Sequence, residues 1–197
     1  MKALAFSDLH ADHEKAEALI EKAAEADLVL GAGDYAEEQQ GLEEVIDWLR
    51  EIEAPTVLVP GNNETEETLN AACAGWGRAQ VLHGRGTRVE DVAIFGLGGG
   101  IPATDRGWSF DLTDAEATEL LEEMRSGAVL ISHAPPRGAC DRGPEGEEGS
   151  VAVREAIERV IPRLVVCGHV HESWGARASI GPTEVANVGP EGAFFEL

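Results

Sequence analysis

Lysine is nearly missing from this chain of 197 residues: Lys2, Lys15 and Lys22 are all it has. Fifteen basic residues stand against 37 acidic ones, for a formal net charge of −22. So acidic a chain repels nucleic acid and anionic membrane surfaces, and no basic stripe interrupts it, which argues against long nucleic acid as a partner. Cysteine is scarce too. Cys73, Cys140 and Cys167 are odd in number and scattered, which fits neither a disulfide framework nor a zinc ribbon and points to a reducing, cytoplasmic setting. Each is expected as a small buried apolar side chain. Long apolar runs are also absent. No stretch approaches a membrane span, and the opening MKALAFSDLH is broken by Ser7 and Asp8, so it reads as neither signal peptide nor anchor.

The acids that are present alternate with apolar residues at helical spacing, as in a folded domain with acidic faces rather than a disordered tail. Two readings of the charge diverge at high salt. An adaptation to concentrated salt predicts a melting temperature that climbs steeply as potassium chloride rises toward about 1 M, where charges beyond roughly 3 Å are screened. A melting temperature indifferent to salt leaves a merely soluble acidic protein.

One domain over residues 1–197 is expected, with alternating strands and helices. Apolar runs at Ala3–Phe6, Leu28–Leu30, Thr56–Val59, Val129–Ile131 and Leu164–Cys167 read as buried strands. Helices are expected over Asp12–Ala26, along the face Leu42, Val45, Ile46, Leu49 and Ile52, over Glu66–Ala74, from the Thr113/Glu116 capping box to Arg125, and over Val151–Val160. Ala79–Leu82 and a hairpin through Thr87–Val89 and Val92–Phe95 are β-like. Gly96–Gly100 and Ala134–Gly149 read as loops, and two or three short strands follow Trp174.

Chemistry gathers where the strands end. The five runs lead into Asp8-Leu9-His10, Gly33-Asp34, Gly61-Asn62-Asn63-Glu64, Ser132-His133 and Gly168-His169-Val170-His171. In α/β sheets, ligand sites collect at the carboxyl ends of strands, so these polar residues are expected to converge. Glycine before Asp34, Asn62 and His169 permits a sharp turn. Singly, each residue has a plain explanation as a cap, a turn or a core histidine; together they point to a site.

In that order, Asp8-x-His10, Gly33-Asp34, Gly61-Asn62, His133 and Gly168-His169-x-His171 resemble the calcineurin-like metallophosphoesterase superfamily, from Asp8 to Asn187. The resemblance implies an α/β fold, a four-layer α/β/β/α sandwich of two mixed sheets flanked by helices. It also implies two divalent transition metals. Asp8, His10 and His171 would hold one, Asn62, His133 and His169 the other, with Asp34 bridging; Asp34, Asn62 and His133 are also assigned catalytic roles. Mixed imidazole and carboxylate ligands suit manganese first, with iron, zinc or nickel as alternatives, better than calcium. The implied activity is hydrolysis of a phosphoester by a hydroxide between the metals.

One position departs from the family. Its common pattern is Gly-Asn-His, with the histidine as proton donor to the leaving group, and here the third residue is Asn63. An amide supplies no proton at neutral pH, and general acid catalysis contributes roughly 10²–10⁴-fold. Glu64 keeps the acidic position that would orient such an imidazole; of the two remaining histidines, His83 is the loose candidate to replace it and His13 reads as an exposed helix residue. Two cations, two aspartates and a hydroxide sum to about +1, which complements a phosphodiester monoanion better than a dianion. Small phosphodiesters, cyclic or linear nucleotides included, are the expected substrates, with Asn63, Arg137 and Arg142 as candidate contacts. The alternative is a metal-binding scaffold or sensor of the same fold with little turnover. Nothing in the pattern speaks to oligomeric state.

Overall fold

A computed structural model describes residues 1–197 in full. Six parallel and three antiparallel strand pairings build two mixed sheets. The first joins β1 (Lys2–Phe6), β2 (Leu28–Gly31), β3 (Thr56–Leu58) and β4 (Ala79–Val81) in parallel, with β13 (Ala193–Glu196) antiparallel at the β1 edge. The second runs β11 (Arg177–Ile180), β12 (Thr183–Asn187), β10 (Leu164–Cys167), β7 (Val129–Ser132), β6 (Val92–Leu97) and β5 (Arg85–Val89). Its outer pairs are antiparallel and its inner ones parallel.

Side-chain alternation explains the layers. Along β1, Ala3 and Ala5 join Leu30, Val57, Ile94, Ile131 and Val166 in the apolar layer between the sheets. Leu4 and Phe6 point the other way, onto α1 (His13–Ala23), α2 (Leu42–Leu49) and α3 (Glu66–Ala72). On the second sheet Leu130 and Val165 face α4 (Asp114–Leu120) and α5 (Val151–Val160). The result is the four-layer sandwich the resemblance implied. No helix is long and apolar enough to cross a membrane.

Several boundaries differ from the sequence reading. Asp12 caps α1 from outside, accepting from Lys15 N at 3.2 Å, and residues 24–26 form turns rather than helix. The capping box of α4 is present in both arms, yet the helix stops at Leu120 rather than Arg125. Gly96 and Leu97 are strand, not loop, because their β7 partners Ile131 and Ser132 extend the ladder. The stretch 134–149 is not wholly irregular: β8 (Arg142–Gly143) and β9 (Gly146–Glu147) form a small hairpin, and Asp141 Oδ2 accepts from Gly138 N at 2.9 Å and Gly149 N at 3.0 Å across its base. All three cysteines are free; Cys73 and Cys167 are buried as expected, and Cys140 is partly exposed.

Candidate metal centre

The carboxyl ends of β1, β2 and β3 adjoin those of β7 and β10, and there seven side chains meet. Four of their backbones are left-handed: φ is 57° at Asp8, 49° at His10, 58° at Asp34 and 68° at His169. For residues other than glycine this costs of order 1–3 kcal/mol each and persists only where surroundings enforce it. Asp8 N donates to Gly33 O at 2.9 Å and His10 N to Asp34 O at 3.1 Å, so the first two loops hold each other. Glycine gives a turn only at Gly33, with φ of +91°; at Gly61 it gives room, since a Cβ there would strike the backbone nitrogen and carboxylate of Asp34.

Asp8 is fully buried. Its Oδ2 accepts from Ser7 Oγ at 2.5 Å and Trp174 Nε1 at 3.0 Å, and its Oδ1 accepts from His169 N at 3.1 Å. Oδ1 also lies 3.9 Å from His171 Nε2, which in turn faces His10 Nε2 at 3.1 Å. On the far side of His10, Glu37 Oε2 comes within 2.9 Å of Nδ1, but not in line with a ring N–H, so Nδ1 has no hydrogen-bond partner.

A second group forms around His133, which is also fully buried. Its Nδ1 donates to Ala32 O at 2.7 Å, which frees the Nε2 lone pair. Nε2 lies 3.1 Å from both Asn62 Oδ1 and His169 Nδ1, and those two atoms are 2.9 Å apart. Asp34 stands between the groups: its Oδ1 is 3.4 Å from His133 Nε2 and its Oδ2 is 3.7 Å from His10 Nε2.

These residues fit divalent cations. Two sets, Asp8, His10 and His171, and Asp34, His133 and His169, each converge ligand atoms within 4.8 Å of one another. Lone pairs facing each other near 3 Å repel unless a proton or a cation lies between them. Bonds of about 2.1 Å to a common ion would separate neighbouring ligands by roughly 3.0–3.4 Å; the atoms around His133 lie 2.9–3.4 Å apart, and the Asp8 group is looser, with His171 at 3.1 Å from His10 and 3.9 Å from Asp8. Electrostatics agree. Burial opposes the charge on Asp34, but His133, His10, His169 and the Asn63 N–H hold its carboxyl below the usual range. Burial and then His133 push His169 down to about 4, so its Nδ1 lone pair is available at neutral pH.

The family model of calcineurin-like phosphoesterases matches residues 1–173. The chain belongs to this family. Part of it is also 39% identical to human and mouse proteins called metallophosphoesterase domain-containing protein 1, over 88 residues, 41% of this chain and 26% of each relative. The match thus spans about a quarter of those relatives' length. Among solved structures, TT1561 of Thermus thermophilus superposes with a TM-score of 0.75 at 18% identity, covering 96% of this chain and 90% of that one. An archaeal phosphodiesterase gives 0.60 at 16% identity, over 96% and 84%. The phosphopantetheinyl hydrolase of Mycobacterium tuberculosis gives 0.61 at 16%, over 95% and 88%. At such identities the likeness is one of fold.

In this family member the residue after Asn62 borders the opening of the centre and is at the same time tied into the protein. Asn63 is buried, and both ends of its amide are engaged by protein. Nδ2 donates to Asp34 Oδ2 at 2.7 Å, Oδ1 accepts from Glu38 N at 2.7 Å, and Asn63 N donates to Asp34 Oδ1 at 2.9 Å. Glu64 is likewise committed. Its carboxylate accepts four backbone N–H bonds, from Asp34 at 2.9 Å, Gly61 at 2.5 Å, Tyr35 at 3.1 Å and Ala36 at 3.0 Å. Burial first and Asp34 second raise it to about 7 against these donors. Glu64 therefore shapes the β2 and β3 loops and has no free oxygen with which to orient an imidazole. His83 hydrogen-bonds outside the two donor groups: its Nδ1 accepts from Gly98 N at 3.1 Å, its ring packs against Phe110, and burial lowers its pKa.

Two clefts open over the centre. One of 360 Å³ exposes His10, Asp34, Asn62, His169 and His171; the other, of 720 Å³, touches Asn62 and His169 and extends over the hairpin. Arg137 lines the larger cleft but lies 3.5 Å from Glu147 Oε2. Arg142 faces a separate depression of its own hairpin. Sequence reasoning missed Arg106, which lines both clefts, and Trp174, which holds Asp8. Neither sits at a strand end, and the hydrogen bond from Trp174 to Asp8 spans 166 positions.

Proposed function

We propose that this chain is a two-metal phosphodiesterase acting on small substrates. The observation that supports it most is Asp34: one carboxylate whose two oxygens face two separate donor groups. In this reading Asp8, His10 and His171 hold one ion, Asn62, His133 and His169 the other, and Asp34 both. Imidazole with carboxylate and amide oxygens suits manganese, and also iron, zinc or nickel. Two such ions supply Lewis acidity and lower the pKa of bound water.

The rest falls to the chain. Ala32 O fixes the His133 tautomer, and Ser7, Trp174 and His169 N aim the Asp8 carboxylate. Asn63 holds both oxygens of Asp34 and so orients the shared carboxylate. Its NH₂ is neither acidic nor unengaged, so no proton reaches the leaving group from position 63. Hydrolysis should then depend steeply on the leaving group. An aryl diester is expected to turn over in the metal-loaded enzyme, while a dialkyl ester falls behind by more than the roughly 10²–10⁴-fold that a general acid provides. A phosphoester panel with and without chelator tests the reading. Turnover that survives chelation, or none on activated diesters at full metal loading, goes against it; the second result leaves a metal-binding scaffold.

A further inference from the structure

The loop between Ile101 and Leu112 is rooted in the metal centre and carries a cation and an aromatic ring to its mouth. Phe110 N donates to Asn62 O at 2.9 Å, and Gly100 N and Leu112 N bracket the same stem by bonds of 3.0 Å to Phe110 O and 2.9 Å to Gly100 O. Asp111 staples the loop internally: Oδ2 accepts from Thr104 N at 2.8 Å and Thr104 Oγ1 at 2.6 Å, and Oδ1 from Ser109 Oγ at 2.5 Å. Gln39 Nε2 donates to Trp108 O and ties the tip to the loop after β2. Arg106 and Trp108 are thus held by bonds at both ends of the loop.

The 360 Å³ cleft that contains His10, Asp34, Asn62, His169 and His171 is lined by both residues. Its other charged walls are Glu37, Glu38, Glu148 and Glu172, which makes Arg106 the one arginine or lysine among them. Arg137, by contrast, is drawn to Glu147. The Arg106 guanidinium lies 5.8 Å from the centre of the Trp108 ring, within cation–π range. In a chain of net charge −22 a lone arginine among four glutamates is a selective feature. Four carboxylates disfavour a dianion, and a guanidinium fork suits the two non-bridging oxygens of a monoanionic diester.

We propose that Arg106 and Trp108 form the recognition half of this site, for phosphodiesters carrying a planar aromatic group. Arg106 takes the non-bridging oxygens, and Trp108 packs against the aromatic ester group, as a nucleobase or an aryl ring would supply. The proposal rests on the phosphodiesterase reading and adds the substrate class to it.

Equilibrium binding separates the two. Diphenylphosphinate and dimethylphosphinate share one charge and two phosphoryl oxygens, have no ester bond to hydrolyse, and differ in the aromatic surface they offer. Calorimetry on the manganese-loaded protein should find diphenylphosphinate bound about tenfold more tightly, the scale of one aromatic stacking contact. Trp108→Ala should bring the two ligands within about twofold of each other, and Trp108→Phe should keep most of the preference. Arg106→Ala should weaken both by a similar factor, about tenfold, because it removes the phosphoryl contact they have in common. A wild-type protein indifferent to the aryl groups, or a Trp108→Ala protein that keeps its preference, overturns the proposal. Loss confined to one ligand in Arg106→Ala overturns the role of the arginine. Normal preferences without turnover of bis(p-nitrophenyl) phosphate would contradict the hydrolase reading and leave the recognition half standing.

Discussion

Asp34→Ala is expected to strip both ions from the centre, whereas Asp8→Ala removes one. Asp34 lies 3.4 Å from His133 Nε2 through one oxygen and 3.7 Å from His10 Nε2 through the other, so its loss opens both donor groups. Asp8 converges a ligand atom only with those of His10 and His171. Loss of an outer partner of a metal ligand already lowers affinity about 10–100-fold, and loss of a shared ligand should exceed that at both sites. Titration of manganese into each variant by calorimetry reads the difference. Circular dichroism guards against misfolding, because Asp34→Ala also deprives Asn63 N and Nδ2 of their acceptor. Losses confined to a single site in both variants would mean that Asp34 is not shared.

The second large effect is structural and falls on a residue that touches no candidate ligand atom. Glu64→Gln should destabilise the fold by about 3–5 kcal/mol, since two of the four backbone donors lose their acceptor, at about 1–3 kcal/mol each, and face the new NH₂ instead. Glu64 receives N–H bonds from Gly61, Asp34, Tyr35 and Ala36, and an amide can satisfy only those at its oxygen. At this chain length 1 kcal/mol moves the melting temperature by roughly 2–4 °C, so a fall of about 6–20 °C is expected by calorimetry. The metal-free protein should show it too, which distinguishes a clamp on the loops from a role in metal binding. A metal-free melting temperature within a degree or two of wild type would contradict the clamp.

The strand ends were the legible part of this molecule. Asp8, Asp34, Asn62, His133 and His169 follow directly on buried apolar runs, and parallel strands carry their carboxyl ends to the same edge of the sheets. The layer order came from the resemblance, since Ala3, Leu4, Ala5 and Phe6 are all apolar and only the structure separates Ala3 and Ala5 from Leu4 and Phe6. What escaped depends on long-range geometry. Asn63 reads as a free amide until Asp34, 29 positions away, is seen to accept its NH₂. Glu64 reads as a helper for an imidazole until four backbone donors claim its oxygens. The left-handed backbones at Asp8, His10, Asp34 and His169 fall on residue types enriched in that conformation, but most Asp and His residues do not adopt it, so the preference marks no particular position. Helix ends slipped by a few residues because apolar spacing continues past the last helical turn, as at Met124 beyond α4.

The central claim is that one carboxylate organises two metals. Anomalous diffraction from crystals of the protein grown with manganese tests it most directly. Two peaks are predicted, about 3.5–4 Å apart, one against His10 and His171, the other against His133 and His169, with Asp34 between them. A single peak at full occupancy, or none at saturating manganese, would contradict the account.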